Sequence, residues 1–136
     1  MPGARHRARE LALKVLFQLE SAPSDEAEVV AYHAREEGAE REVENFALEL
    51  VRGVTTNLGQ IDAAIRTAST NWRPEQMGRV DRTILRIAVF EIAVARDVPV
   101  RAAINESIEL AKTFAGDESG KFVNGVLGKI AETAAP

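Results

Sequence analysis

Residues 43–54 read VENFALELVRGV. Val43, Phe46, Ala47, Leu50, Val51 and Val54 fall at i, i+3, i+4, i+7, i+8 and i+11. That spacing gathers apolar side chains into one stripe of a helix turning about 100° per residue. The same stripe recurs on both sides. Upstream it is carried by Ala8, Ala12, Val15, Leu16 and Leu19, and downstream by Leu58, Ile61, Ile65 and Ala68. Asn57 and Gln60 stand where a reciprocal N-terminal cap would form. The run ILRIAVFEIAVA, residues 84–95, is apolar almost all round, as a central buried helix should be. Pro99 suits the first turn of a further helix reaching about Phe114, because its missing N–H costs nothing there. Val123, Val126, Leu127 and Ile130 mark the last helix, and a polar one is expected near residues 25–37. No run of period two competes. The fold class is all-α, with about seven helices.

Breakers divide the chain. Thr55-Thr56-Asn57 is the expected joint between an N-terminal half of three helices, residues 1–57, and a C-terminal half of four, residues 58–136, forming one compact unit. Asn71-Trp72-Arg73-Pro74 is expected as a loop, since the residue before a proline is pushed out of the helical region. Gly116-Asp-Glu-Ser-Gly120 is expected as a second, polar loop.

Composition narrows the chemistry. Hydrophobic residues at 46% and charged residues at 28% suit a folded soluble domain rather than a disordered chain. No apolar run approaches the roughly 20 residues that span a bilayer, and Glu10 and Lys14 interrupt any signal-like segment. With no cysteine, disulfides and thiolate metal sites are excluded, which fits a cytoplasmic protein. His6 and His33 are the only histidines, and no phosphate-binding glycine loop, dinucleotide fingerprint or zinc-protease motif occurs. We expect no enzyme activity, no cofactor and no metal.

Charge is unevenly placed. The whole chain carries −4, yet residues 1–18 hold Arg5, Arg7, Arg9 and Lys14 against Glu10 alone, a local +3. Residues 19–50 hold ten carboxylates against Arg35 and Arg41. Such segregation repels a polyanion from most of the surface and confines it to the cationic patch. On a helical wheel Phe17 lies about 170° from the stripe centred on Ala8, Ala12, Val15 and Leu19, with Leu13 and His6 near the same line. Cations around an outward ring are what single-stranded RNA uses, guanidinium on phosphate and ring on base. The plainer reading is that Leu13 and Phe17 pack inside the protein and the cations are a solvated face.

Two further groups carry the same ambiguity. Lys121 and Phe122 open the last helix, where they would extend an RNA surface or, for Phe122, close the core. Arg79, Arg82 and Arg86 share one stripe of the central helix with Phe90. A solvent-facing stripe is the favoured reading of these three, and the rim of a protein contact is the other.

ARHRARELALKVLFQ, GVTTN, RVDRTILRIAVFEI, DVPVRAAINESIELAKTF and KFVNGVLGKI, in this order and spacing, resemble the transcription antitermination factor NusB family over nearly the full chain. The resemblance implies two packed helical bundles and a non-catalytic role. Members would bind the single-stranded boxA element of ribosomal RNA leaders with a NusE-type small-subunit ribosomal protein. They would then join an RNA polymerase antitermination complex that promotes read-through and rRNA maturation. By position, the RNA-binding arm falls on Arg5, His6, Arg7 and Arg9, and the loop contacts on Glu118, Lys121 and Phe122; Lys14 and Phe17 join the expected RNA-binding residues from the charge and wheel reading above. The partner-binding surface falls near Asp81, with Arg79 and Arg82 beside it. His6 stands where the family often has arginine and Phe17 where it often has tyrosine, so partner-free affinity for boxA is expected to be weak. Two other readings remain: a targeting module related to the N-terminal domain of rRNA cytosine methyltransferases, and a protein-interaction bundle acting as a homodimer.

Overall fold

The computed structural model describes residues 3–134, and among these there are seven α-helices and no strand. The chain divides into two compact units between Thr56 and Asn57.

The first unit holds α1 (Ala4–Ser21), α2 (Glu26–Glu37) and α3 (Arg41–Thr56), each packed on the other two. The stripe quoted first is its core: Val43, Ala47, Leu50, Val51 and Val54 of α3 are buried, as are Ala8, Leu11, Ala12 and Val15 of α1. Phe46 is only half-buried. Leu13, expected on the outward line of α1, is 3% exposed. With Leu11, Leu13 and Leu16 all buried, α1 is apolar on more sides than its main stripe suggests, and such a helix is buried on more than one face. At the start of α2 the Asp25 carboxylate accepts the Glu28 N–H at 3.0 Å. The helix ends on Gly38 in the left-handed region, φ 64°, with the Ala39 N–H donating to the Ala34 carbonyl at 2.8 Å.

The second unit holds α4 (Leu58–Ala68), a 3₁₀ turn (Pro74–Gln76), α5 (Arg79–Val89), a π turn (Phe90–Ala95), α6 (Val100–Ala115) and α7 (Asp117–Ala134). Here α5 packs on α4, α6 and α7, and α6 on α7. Ile61, Ile65, Ile84, Leu85, Ile87 and Leu127 are fully buried among them. Three expectations change in detail. Asn57 makes no side-chain cap; its carbonyl instead accepts the Ile61 N–H at 2.9 Å, so α4 follows α3 after one turn residue. Pro99 sits at the N-cap of α6, one position ahead of the helix. The polar loop expected at residues 116–120 is a helix start. Gly116 alone reverses the chain at φ 106°, its N–H donating to Ala111 and Lys112 carbonyls. Asp117 and Glu118 then occupy the first turn of α7, where carboxylates complement the helix dipole.

Candidate nucleic-acid interface

In the first unit the arm residues of α1 meet different fates. The Arg5 guanidinium lies 4.5 Å from the centroid of the Phe46 ring, a cation–π contact that fixes its head on α3. The His6 imidazole is 3.2 Å from the Glu10 carboxylate one turn on. Arg7 points to solvent, and its side chain has no hydrogen bond or ion pair among the described residues. Arg9, two positions further, turns inward and is 4% exposed. Lys14 reaches Glu37 at the end of α2, 2.9 Å away, so part of its charge is met inside the unit. Phe17 is half-buried. The acidic α2 therefore does more than surround the cationic face. It also pairs with one member of it, Lys14, at an exposed site. On the flank of α1, Gln18 Oε1 and His33 Nε2 lie 2.7 Å apart, and the His33 ring meets Tyr32 edge-on.

In the second unit two of the three arginines of the α5 stripe, Arg82 and Arg86, are tied to neighbouring elements, and the third, Arg79, faces solvent. Arg86 makes two 2.8 Å hydrogen bonds to the Asp62 carboxylate of α4. Both side chains of that pair are 18% exposed, and the paired geometry adds to its strength. Arg82 donates to the Pro74 carbonyl at 3.3 Å. Arg79 is exposed, its carbonyl accepting the Thr83 hydroxyl. These bonds fasten α5 to α4 and to the turn that follows it. Arg66 to Glu75 at 3.1 Å, and the Arg73 N–H to the Gln76 side chain at 2.9 Å, close the loop between.

That loop carries Trp72, 52% exposed, and it stands beside the start of α7. Two hollows share Trp72 and Phe122 as lining. One, of about 400 Å³, adds Gln76, Met77, Asp81 and Glu118. Asp81 Oδ1 is buried there with no hydrogen-bond partner among the described residues. The other, of about 260 Å³, adds Ser69, Thr70, Lys121 and Lys129. Lys121 and Glu118 are well exposed and 3.5 Å apart, too loose a pair to hold either charge. The hollows differ in sign: carboxylates line the first, ammonium groups the second.

The structure thus brings Asp81, Glu118 and Phe122 to one hollow and Lys121 and Phe122 to the other. It leaves Arg79, Arg82 and Lys14 outside both. Trp72 and Lys129 were missed in the sequence. The proline after Trp72 marked a loop but not the side it faces, and Lys129 had no neighbour in sequence to give it meaning. Among the described residues no cluster of carboxylates and histidines is built to hold a metal, and no helix is long and apolar enough to cross a membrane.

Known proteins supply the context. The NusB family pattern matches residues 6–132. The transcription antitermination protein NusB of Sorangium cellulosum is 47% identical over 130 residues, covering 96% of this chain and 93% of its own. The one of Myxococcus xanthus is 44% identical over 133 residues, covering 95% of each. These relatives are named for antitermination, not for a catalysed reaction. Among solved structures, T. maritima NusB superposes with a TM-score of 0.87 at 34% identity, covering 100% of this chain and 96% of its own. Antitermination factors NusB and NusE in complex with dsRNA give a chain of TM-score 0.87 at 25% identity, covering 98% of this chain and 99% of that one. With both sequence and fold matched from end to end, the chain belongs to the NusB family.

Proposed function

We infer that this protein is a non-catalytic transcription antitermination factor that binds RNA together with a NusE-type ribosomal protein. Its RNA target is the single-stranded boxA element of rRNA leaders, and the assembled complex acts with RNA polymerase in the cytoplasm to promote read-through and rRNA maturation. The observation that carries this reading is the Lys121–Phe122 pair at the start of α7. A well-exposed ammonium stands next to a half-buried ring, and that ring lines two open hollows. Phosphate contacts position a strand and aromatic faces take up its unpaired bases. Arg7 on α1 offers a second outward guanidinium. The acidic hollow suits a different ligand. An unpartnered buried carboxylate oxygen on Asp81, with Glu118 beside it, would be satisfied by cationic donors from a basic partner protein.

The relatives that support this reading are named transcription antitermination proteins, which favours an antitermination factor over a methyltransferase targeting module. The test is a gel-shift titration of boxA RNA at two salt concentrations, with and without the NusE-type protein. The expected result is weak binding alone and tighter binding with the partner, both falling as salt rises. Binding that is absent in all four conditions overturns the reading.

A further inference from the structure

The hollow on the basic side of Trp72 takes part in nothing described so far beyond Lys121 and Phe122. Lys121, Gly125 and Lys129 fall at i, i+4 and i+8 of α7, so they follow one another along one side of the helix, drifting about 40° around it at each step. The two ammonium groups root about 12 Å apart along the axis. Gly125 between them is bare, and a Cβ built there would meet nothing within 4 Å. Glycine in a helix interior costs about 1 kcal/mol relative to alanine, and no neighbouring atom would clash with a Cβ at this position. The row therefore presents a cation, a gap and a second cation. Trp72 and Phe122 line the same hollow as these three residues, and so does the exposed Thr70.

We propose that this hollow, built by Trp72, Phe122, Lys121, Gly125 and Lys129, is a subsite for one unpaired nucleotide of the bound RNA. The base lies against the exposed Trp72 ring, and the flanking phosphates are met by Lys121 and Lys129. The sugar–phosphate backbone crosses α7 at Gly125, where a side chain would stand in its way. Both parts of the chemistry are needed to choose this occupant. An acidic peptide satisfies the two lysines but leaves the aromatic faces without a flat partner, whereas a nucleotide uses the rings and the ammonium groups together. A paired base cannot enter, because its face is already stacked. This inference rests on the RNA-binding reading above and adds to it the place where one base is held.

The chain contains a single tryptophan, so Trp72 reports on its own hollow. The full-length protein is titrated with fluorescein-labelled single-stranded boxA RNA, following anisotropy of the label for binding and tryptophan emission for the subsite. Saturable quenching of Trp72 in step with the anisotropy is expected, and an RNA duplex should give little quenching. Lys129→Glu should weaken binding about threefold to tenfold at low salt and reduce the magnitude of the log–log salt slope by about 0.7, the share of one phosphate. Gly125→Gln is the decisive variant. As a better helix former it should leave the melting temperature unchanged or raise it, while filling the gap, lowering RNA affinity roughly tenfold and abolishing the quench. RNA that binds by anisotropy without quenching Trp72, or equally well to Gly125→Gln and Lys129→Glu, overturns the subsite and leaves the RNA-binding reading intact. No anisotropy change for any variant overturns both. Quenching by an acidic peptide but not by RNA assigns the hollow to a protein and overturns the nucleotide.

Discussion

Arg7 and Arg9 stand two positions apart on α1 and are indistinguishable by composition, yet one is exposed and the other 4% exposed. Two residues turn a helix by about 200°, so opposite environments are the natural outcome. Their variants should separate two properties. Arg7→Ala is expected to lower RNA affinity and reduce the magnitude of the salt slope by about 0.7, with an unchanged melting curve. Arg9→Ala should lose about 1–3 kcal/mol of stability in urea denaturation, because a buried charged group's partners are left unsatisfied. Equal effects of the two on stability would contradict the burial of Arg9. The sequence showed the +3 charge of this segment but not its direction. The wheel centred on Ala8, Ala12 and Val15 treated Leu13 as outward, and it is buried. A single helix's stripe cannot reveal a second buried face, because periodicity reports the strongest contact only.

At the scale of elements, helices were legible wherever an apolar stripe persisted for three turns, as in α3 and α4. They were misread where polar residues belong to a helix end. Gly116 to Gly120 looked like a loop because Asp117, Glu118 and Ser119 are loop-like in composition, whereas carboxylates in a first turn stabilise a helix. The end of α2 was clearer. A glycine follows the polar run of α2, and Gly38 adopts the left-handed conformation that glycine tolerates best. Asp25 caps the other end through a 3.0 Å bond to the Glu28 N–H. Asp25→Ala should therefore lower stability by about 1 kcal/mol. Thermal unfolding followed by circular dichroism checks it, and a loss below a few tenths of a kcal/mol would mean the cap contributes nothing. Helix α2 also matters beyond its own stability. It supplies Glu26 to the Thr55 hydroxyl and Glu37 to Lys14, so it ties down both α3 and α1.

Across the whole molecule, a net charge of −4 coexists with outward cations at Arg7, Lys121 and Lys129. Carboxylates elsewhere set a repulsive background for any polyanion, and salt removes it beyond about 10 Å at 0.1 M. Reversing Glu42 and Glu49, both exposed on α3, to lysine should raise RNA association several-fold at low salt. Stopped-flow rates should converge with those of the parent at high salt. A gain that persists undiminished there would mean a new contact and not a weakened field. Much of the candidate site was visible in the sequence as residue types, namely the arginines of α1 and the Lys121–Phe122 step. Its shape was not. Trp72 lies about fifty residues from Lys121 in the chain, and the tryptophan loop is held in place by the Asp62–Arg86 pair between α4 and α5 together with the Arg82–Pro74 and Arg66–Glu75 contacts.

The reversal at Gly116 has a bearing on how this chain tolerates change in length. One residue joins α6 to α7, so no slack separates the two helices. Adding a single amino acid in the first turn of α7, between Asp117 and Lys121, would rotate the corner by about 100° against the buried Val123, Val126 and Leu127. Insertions in homologous genes should therefore collect at the ends of α2 and in the segment around residues 69–73, and avoid the α6–α7 corner altogether.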